Sequence, residues 1–203
     1  MQPFFMPPPS ADPLKQAILD RFKQAAQSPE GLFQYPTGEA GLRGLHYPSE
    51  LTEALPEDVR RCFCGVGNPF LPGLPQPGDD VLDIGCGAGV DAIIAARVVQ
   101  SGRVVGLDMS PEMLTRARHN ADLAGTDNVE FVLSVGDTLP FEDASFDVLL
   151  SNGVLNLIVD KARILSEAFR VLRPGGRLQV ADQIRIQEEL SCPLVRDAAS
   201  WAQ

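Results

Sequence analysis

The chain has 203 residues, 44% of them hydrophobic and 22% charged, with a formal net charge of −10. That length suits one domain plus an appendage with a real core. No apolar run approaches the roughly 18 residues of a membrane span, and a surface this acidic repels the phosphates of a nucleic acid. The four cysteines, Cys62, Cys64, Cys86 and Cys192, have no paired spacing and read as the free thiols of a cytoplasmic protein.

Residues 1–9 carry neither a basic segment nor a long apolar one and read as a disordered tail. Ser10 is placed to cap a helix whose apolar positions Leu14, Ile18, Leu19 and Phe22 recur at helical spacing up to Ser28-Pro29. Residues 31–48 are rich in glycine and proline and read as a loop anchored by Phe33, Tyr35 and Tyr47. Leu51 to Phe63 is expected to be helical with a break at Pro56. Residues 10–77 thus form an N-terminal extension and lid, with Phe63 and Phe70 among the aromatics that exclude water. Residues 78–203 form the main domain.

From Asp80 the elements alternate as βαβ units do. The expected strands are Val81–Ile84, Arg103–Asp108, Val129–Val135, Phe146–Ser151 and Arg177–Ala181. A helix over Val90–Val99 should be closed by Gly102. Ser110-Pro111-Glu112 combines a capping side chain, a first-turn proline and a first-turn acid, and starts a helix that stops at Gly125. Asp160 should cap another, burying Ile164, Leu165, Ala168, Phe169 and Leu172 and ending at Arg173-Pro174-Gly175-Gly176. Right-handed crossovers then give an α/β, doubly wound, mostly parallel sheet ordered 3-2-1-4-5. After Asp182 there is room for one helix, around Leu194 to Trp201. The C-terminal strands of such a fold are therefore expected to be missing or truncated, leaving strand five as an open edge that offers a surface for a homodimer.

The chemistry centres on Asp83-Ile84-Gly85-Cys86-Gly87-Ala88-Gly89, a strand end, a glycine turn and a helix start. A dinucleotide's pyrophosphate over that turn would meet the carboxylates of Asp83 and Asp91, which argues against an NAD-dependent oxidoreductase. S-adenosyl-L-methionine has no phosphate and offers an ammonium and a sulfonium instead. Asp108, ending the second strand, is placed for the ribose hydroxyls, with Met109 against the adenine. After the third strand Asp137, followed by Thr138, is placed for the adenine amine.

These motifs, with Leu139-Pro140-Phe141, Ser145-Phe146-Asp147-Val148 and Phe169 to Leu178, resemble class I S-adenosylmethionine-dependent methyltransferases over roughly residues 78 to 185. Gly65-Val66-Gly67-Asn68-Pro69, Gly89-Val90-Asp91 and Ser151 to Leu157 are similar to the arsenite methyltransferase group. The resemblance implies that Ser151 and Asn152 line the methionyl end of the cofactor, together with Asp83, Gly85, Cys86, Gly87 and Gly89, and that the product is S-adenosyl-L-homocysteine. It also implies arsenic binding through cysteines, and here the chain departs. Val66 and Gly153 stand where that group places cysteines, and its later cysteine would fall beyond Gln203. Cys62 and Cys64 are the thiols left to meet a soft centre.

Methyl transfer from a sulfonium is an in-line displacement, so orientation and desolvation carry most of the catalysis. An alcohol or amine acceptor would add a general base. The candidates for catalytic roles are His46, Tyr47, Cys64 and Asn152, whereas His119 reads as a surface histidine. The acceptor is expected to be a small molecule above the carboxyl ends of strands one and four, with no resident metal. The alternative is a protein of the same fold that binds the cofactor with little or no turnover.

Overall fold

The computed structural model describes residues 13–134 and 138–184. The tail at 1–9, the Ser10 cap, Asp137, Cys192 and the helix expected at 194–201 lie outside the described residues.

Five parallel strands form one sheet in the order β3-β2-β1-β4-β5. They are β1 (Val81–Ile84), β2 (Val104–Asp108), β3 (Val129–Leu133), β4 (Phe146–Asn152) and β5 (Leu172–Ala181). Alternate residues divide the core in two. Val81, Val104, Phe131, Val148 and Leu150 face α5 (Val90–Val99), α6 (Pro111–Ala124) and the N-terminal residues. Leu82, Ile84, Val105, Leu107 and Leu149 face α7 (Lys161–Val171). Both faces being covered, the central strands read as unbroken apolar runs, which is why they were legible.

N-terminal to the sheet lie α1 (Pro13–Ala25), α2 (Gly38–Gly44), α3 (Ser49–Thr52) and α4 (Glu57–Arg60). The break at Pro56 is where expected, although α3 and α4 are single turns. The stretch 31–48 is not all loop, since α2 sits inside it. Three glycines in seven residues hide a helix by propensity. It forms because Leu42 is buried and Gly41 lies against Phe63, where an added Cβ would come within 3.2 Å of the ring and 2.6 Å of the Pro36 carbonyl.

The start of α6 follows the expected chemistry: Ser110 is fully buried and its Oγ accepts from the Met113 backbone N–H at 3.2 Å. Gly125 closes the helix at φ 62°. Ser110→Ala is expected to cost about 1 kcal/mol, measured as a shift of the urea midpoint with an unchanged slope.

Three expectations are corrected. Helix α5 is closed by Gln100 at φ 56°, not by Gly102. Gly102 serves a different need, because the chain at Gly78-Asp79 crosses directly over it. Strand β5 begins at Leu172, before the Pro-Gly-Gly turn. Phe146 pairs with Leu172 and Val148 with Arg177, so Arg173 to Gly176 bulge out between them. Proline has no N–H for the ladder. The excursion is pinned by Arg173, which donates to Asp147 and, at 2.8 Å, to Asp80. On α7, Leu165 and Phe169 are 43% and 83% exposed, while Ile164, Ala168 and Val171 are buried. Spacings of four and three put those last residues on one stripe, and Leu165 and Phe169 sit about 100° away from it.

Candidate cofactor and acceptor site

A cavity of about 380 Å³ lies at the carboxyl ends of β1, β2 and β4. Its floor is the glycine turn. Gly85 takes φ 73° and sits so close to Val154 that a Cβ there would come within 2.2 Å of the valine methyl. Gly87 takes φ 52° with open space where its Cβ would be. These two glycines let the backbone pass under a ligand. Gly89 does not line the cavity; its missing Cβ makes room for Phe131 and Ala117, so it serves helix packing.

Asp108 ties the first two turns together. Its Oδ2 accepts from the Gly87 N–H and its Oδ1 from the Ser110 N–H, each at 2.8 Å. Burial raises its pKa, and the backbone N–H donors oppose that rise. Met109 beside it also lines the cavity.

Asp83 is the electrostatic centre. It is 2% exposed, it lines the cavity, and its Oδ2 has no hydrogen-bond partner among the described residues. Burial pushes its pKa well above the usual carboxylate range, and the charges of Asp91 and Asp108 push it further; the Ala92 N–H partly offsets this. A buried carboxylate left unpaired among other acids is costly, and a cation placed there removes the cost. The ammonium of S-adenosylmethionine meets that need, so the donor set fits the cofactor.

Asp91, in the first turn of α5, is 7% exposed. Burial raises its pKa to about 6, against hydrogen bonds from Asn152 and Tyr47 that lower it. The Tyr47 hydroxyl lies 2.7 Å from Asp91 Oδ1, and Asn152 Nδ2 donates to Asp91 Oδ2 at 2.9 Å.

The N-terminal residues supply the remaining wall. Leu14, Lys15, Ile18 and Phe22 of α1 line the cavity with Tyr35, Cys62, Phe63, Cys64 and Gly65. Tyr35 donates to the Cys64 carbonyl at 3.0 Å. The Cys64 thiol is pushed up to about 12, by burial first and then by the charges of Asp108, Asp91 and Cys62. Cys62 is contacted by Arg116, whose Nε lies 3.0 Å from Sγ. Cys86 reaches the cavity too, but its Sγ fills the space beside Gly106, so it acts as packing under the turn.

Of the residues expected at the site, Asp83, Gly85, Cys86, Gly87, Asp108, Met109, Asn152 and Cys64 line one cavity. Others do not. His46 is exposed at φ 58° and turned away, its carbonyl accepting from Asn68. Thr138 is exposed and outside the lining. Ser151 is fully buried within β4, outside the lining, and its Oγ has no partner among the described residues. Tyr47 lies one residue behind the wall and reaches the site only through Asp91 and Asn152. Of the lid aromatics, Tyr35 and Phe63 face the cavity, while Phe33, Tyr47 and Phe70 pack behind them. Sequence reasoning put α1 within the extension and lid but did not single out its residues, nor Val154, Leu157 and Ile158 after β4, as cavity wall. The apolar stripe of α1 was visible, but nothing in it distinguishes a cavity face from a core face.

Comparison with known proteins agrees with this geometry. The family described as "Methyltransferase domain" matches residues 75–202. The arsenite methyltransferase of Halobacterium salinarum is 44% identical over 122 residues, covering 60% of this chain and 31% of that protein. The arsenite methyltransferase of Aquipseudomonas alcaligenes is 36% identical over 169 residues, covering 74% of this chain and 48% of that one. Among solved structures, an arsenic (III) S-adenosylmethionine methyltransferase from Chlamydomonas reinhardtii is 38% identical with a TM-score of 0.54, covering 73% of this chain and 50% of that one. The chain spans about a third to a half of the length of the curated relatives named here. Taken with the strand order, the glycine turn and the buried Asp83 carboxylate, the match means that the chain belongs to the methyltransferase-domain family, as a class I S-adenosylmethionine-dependent member near the arsenite methyltransferase group.

Proposed function

We propose that the chain transfers a methyl group from S-adenosylmethionine to a small soft acceptor, trivalent arsenic or a thiol-like centre, held against Cys62 and Cys64. One observation carries the choice: both histidines lie outside the cavity, while two thiols from the N-terminal residues line it. A hard acceptor such as an alcohol would call for a base to remove its proton. A soft centre attacks with a lone pair already free and needs only alignment and dryness.

When bound, S-adenosylmethionine supplies a methyl group on a positively charged sulfur. The protein's part is to neutralise and orient. Asp83 would hold the ammonium, Asp108 the ribose, and Met109 would lie against the adenine. Phe63, Tyr35, Ile18 and Phe22 keep water from the acceptor space. Cys64 is held as a neutral thiol, so a trivalent arsenic hydroxide would bind by condensation, the thiol proton leaving with the hydroxide as water.

The test is mass spectrometry of products after incubation with the cofactor, arsenite and a small thiol. Methylated arsenic or methylated thiol is expected. Cys64→Ser should reduce arsenic methylation at least about tenfold, through loss of a soft ligand. Cofactor retention without any methylated product, on arsenite or thiols, would overturn the reading in favour of a binding protein.

A further inference from the structure

The side chain of Asn152 does more than line the cavity. At the end of β4, its Oδ1 accepts from the Val66 N–H at 2.9 Å and the Gly67 N–H at 3.1 Å. Its Nδ2 lies within hydrogen-bond distance of the Gly67 carbonyl, Asp91 Oδ2 and the Tyr47 hydroxyl, at 2.9, 2.9 and 3.1 Å. One carboxamide therefore holds both polar groups of Gly67. Gly65 is bare where Asn152 passes, since a Cβ would come within 2.3 Å of Nδ2. The Tyr47 hydroxyl lies between Asp91 and the Gly67 carbonyl, at 2.7 and 3.1 Å. Its ring, 6% exposed, meets Phe63 and Phe70 edge to face at 5.2 and 6.1 Å.

These contacts join two parts of one cavity. Asp91 stands beside Asp83, where the cofactor's ammonium is placed. Phe63, Cys64 and Gly65 form acceptor wall from a different part of the chain. The link between them runs through Tyr47 and Asn152. Buried charged and neutral hydrogen bonds of this kind reinforce one another when all partners are satisfied.

We propose that Tyr47 and Asn152 are positioning residues that couple cofactor binding at Asp83 and Asp91 to the ordering of the acceptor wall, residues 62–70. A cation beside Asp83 keeps Asp91 a full acceptor for both side chains, and they in turn hold Gly67 and Phe63 in place. A loaded site therefore orders the wall. By linkage, an ordered wall also tightens the cofactor. This inference rests on the reading of the cavity as an S-adenosylmethionine site.

The test is hydrogen–deuterium exchange of peptides spanning 62–70, with and without S-adenosylhomocysteine, beside calorimetric measurement of its affinity. In the wild type, the cofactor product is expected to slow exchange there about tenfold. In Tyr47→Phe that slowing should fall below about threefold, with affinity reduced by a similar factor, as reciprocity requires. Asn152→Ala should do the same or more; Tyr47→Phe, which removes a single oxygen, keeps the test valid if the alanine variant does not fold. A merely structural role would raise exchange equally in both states and leave the difference intact, which would overturn the coupling. Binding of S-adenosylhomocysteine with no change at 62–70 in the wild type would also overturn it while leaving the cofactor reading in place. Failure of the wild type to bind at all would overturn both.

Discussion

Asp83→Asn is expected to weaken S-adenosylhomocysteine binding by roughly 30- to 4,000-fold, the range for removing one partner of a buried, hydrogen-bonded charge pair. The same change should raise the melting temperature of the cofactor-free protein. The carboxyl is buried, one of its oxygens is unpartnered, and two more acids press on it. An amide of the same shape removes that repulsion. Calorimetry reads the first effect and thermal unfolding the second; a variant that binds as the wild type does would sink the assignment. The pH dependence follows with a definite sign. Asp91 holds its proton to about 6 in the folded chain, against an ordinary value of 3.8, and Asp83 is raised as well. Between those values the folded state binds more protons than the unfolded one, so stability from these groups falls as pH rises. For Asp91 that loss is spread over the window from about pH 4 to above pH 6. Cofactor binding should show the opposite trend, strengthening through that window as its cation displaces the protons.

Gly102→Ala should be the most damaging glycine-to-alanine change among the described residues, costing about 3 kcal/mol or more as a backbone overlap that no rotamer relieves. An added Cβ would stand 2.0 Å from the Asp79 carbonyl oxygen and 3.0 Å from the Gly78 carbonyl carbon. That crossing segment is itself fixed, because both the Gly78 and Gly102 N–H groups donate to the Val99 carbonyl. Gly125→Ala is the contrast. Gly125 takes φ 62° with nothing within 4 Å of a Cβ, so its cost is conformational only, about 1–2 kcal/mol. Urea unfolding of the two variants separates overlap from backbone preference, and equal losses would refute the distinction.

What could be read in advance was what neighbouring residues decide among themselves. The runs Val81–Ile84 and Phe146–Ser151, the Ser110-Pro111 helix start, the Gly125 stop and the Asp160 cap, whose side chain accepts from the Arg163 N–H, depend on a few adjacent positions. Asp83 and Asp108 were legible because a strand end in this fold has one place to point. Phe169 was not, since its hydrophobicity says bury while its angle on α7 says expose. His46 has the right chemistry but stands exposed, outside the cavity lining. The grouping of Tyr47, Asp91 and Asn152 spans more than a hundred positions, and no local pattern announces it.

The cavity wall is shared between stretches of chain far apart in sequence, and that changes what counts as the working unit. A polypeptide beginning at residue 75, where the family match begins, would keep Asp83, the glycine turn and Asp108. It would lack Phe22, Tyr35, Cys62, Phe63 and Cys64, and with them the wall that dries and shapes the acceptor space. The residues around the glycine turn and those of the opposite wall thus come from different stretches of chain, joined through Tyr47, Asp91 and Asn152. An exchanged N-terminal segment would take Tyr47 and Gly67 with it, so a new acceptor wall would also reset the affinity of the cofactor site.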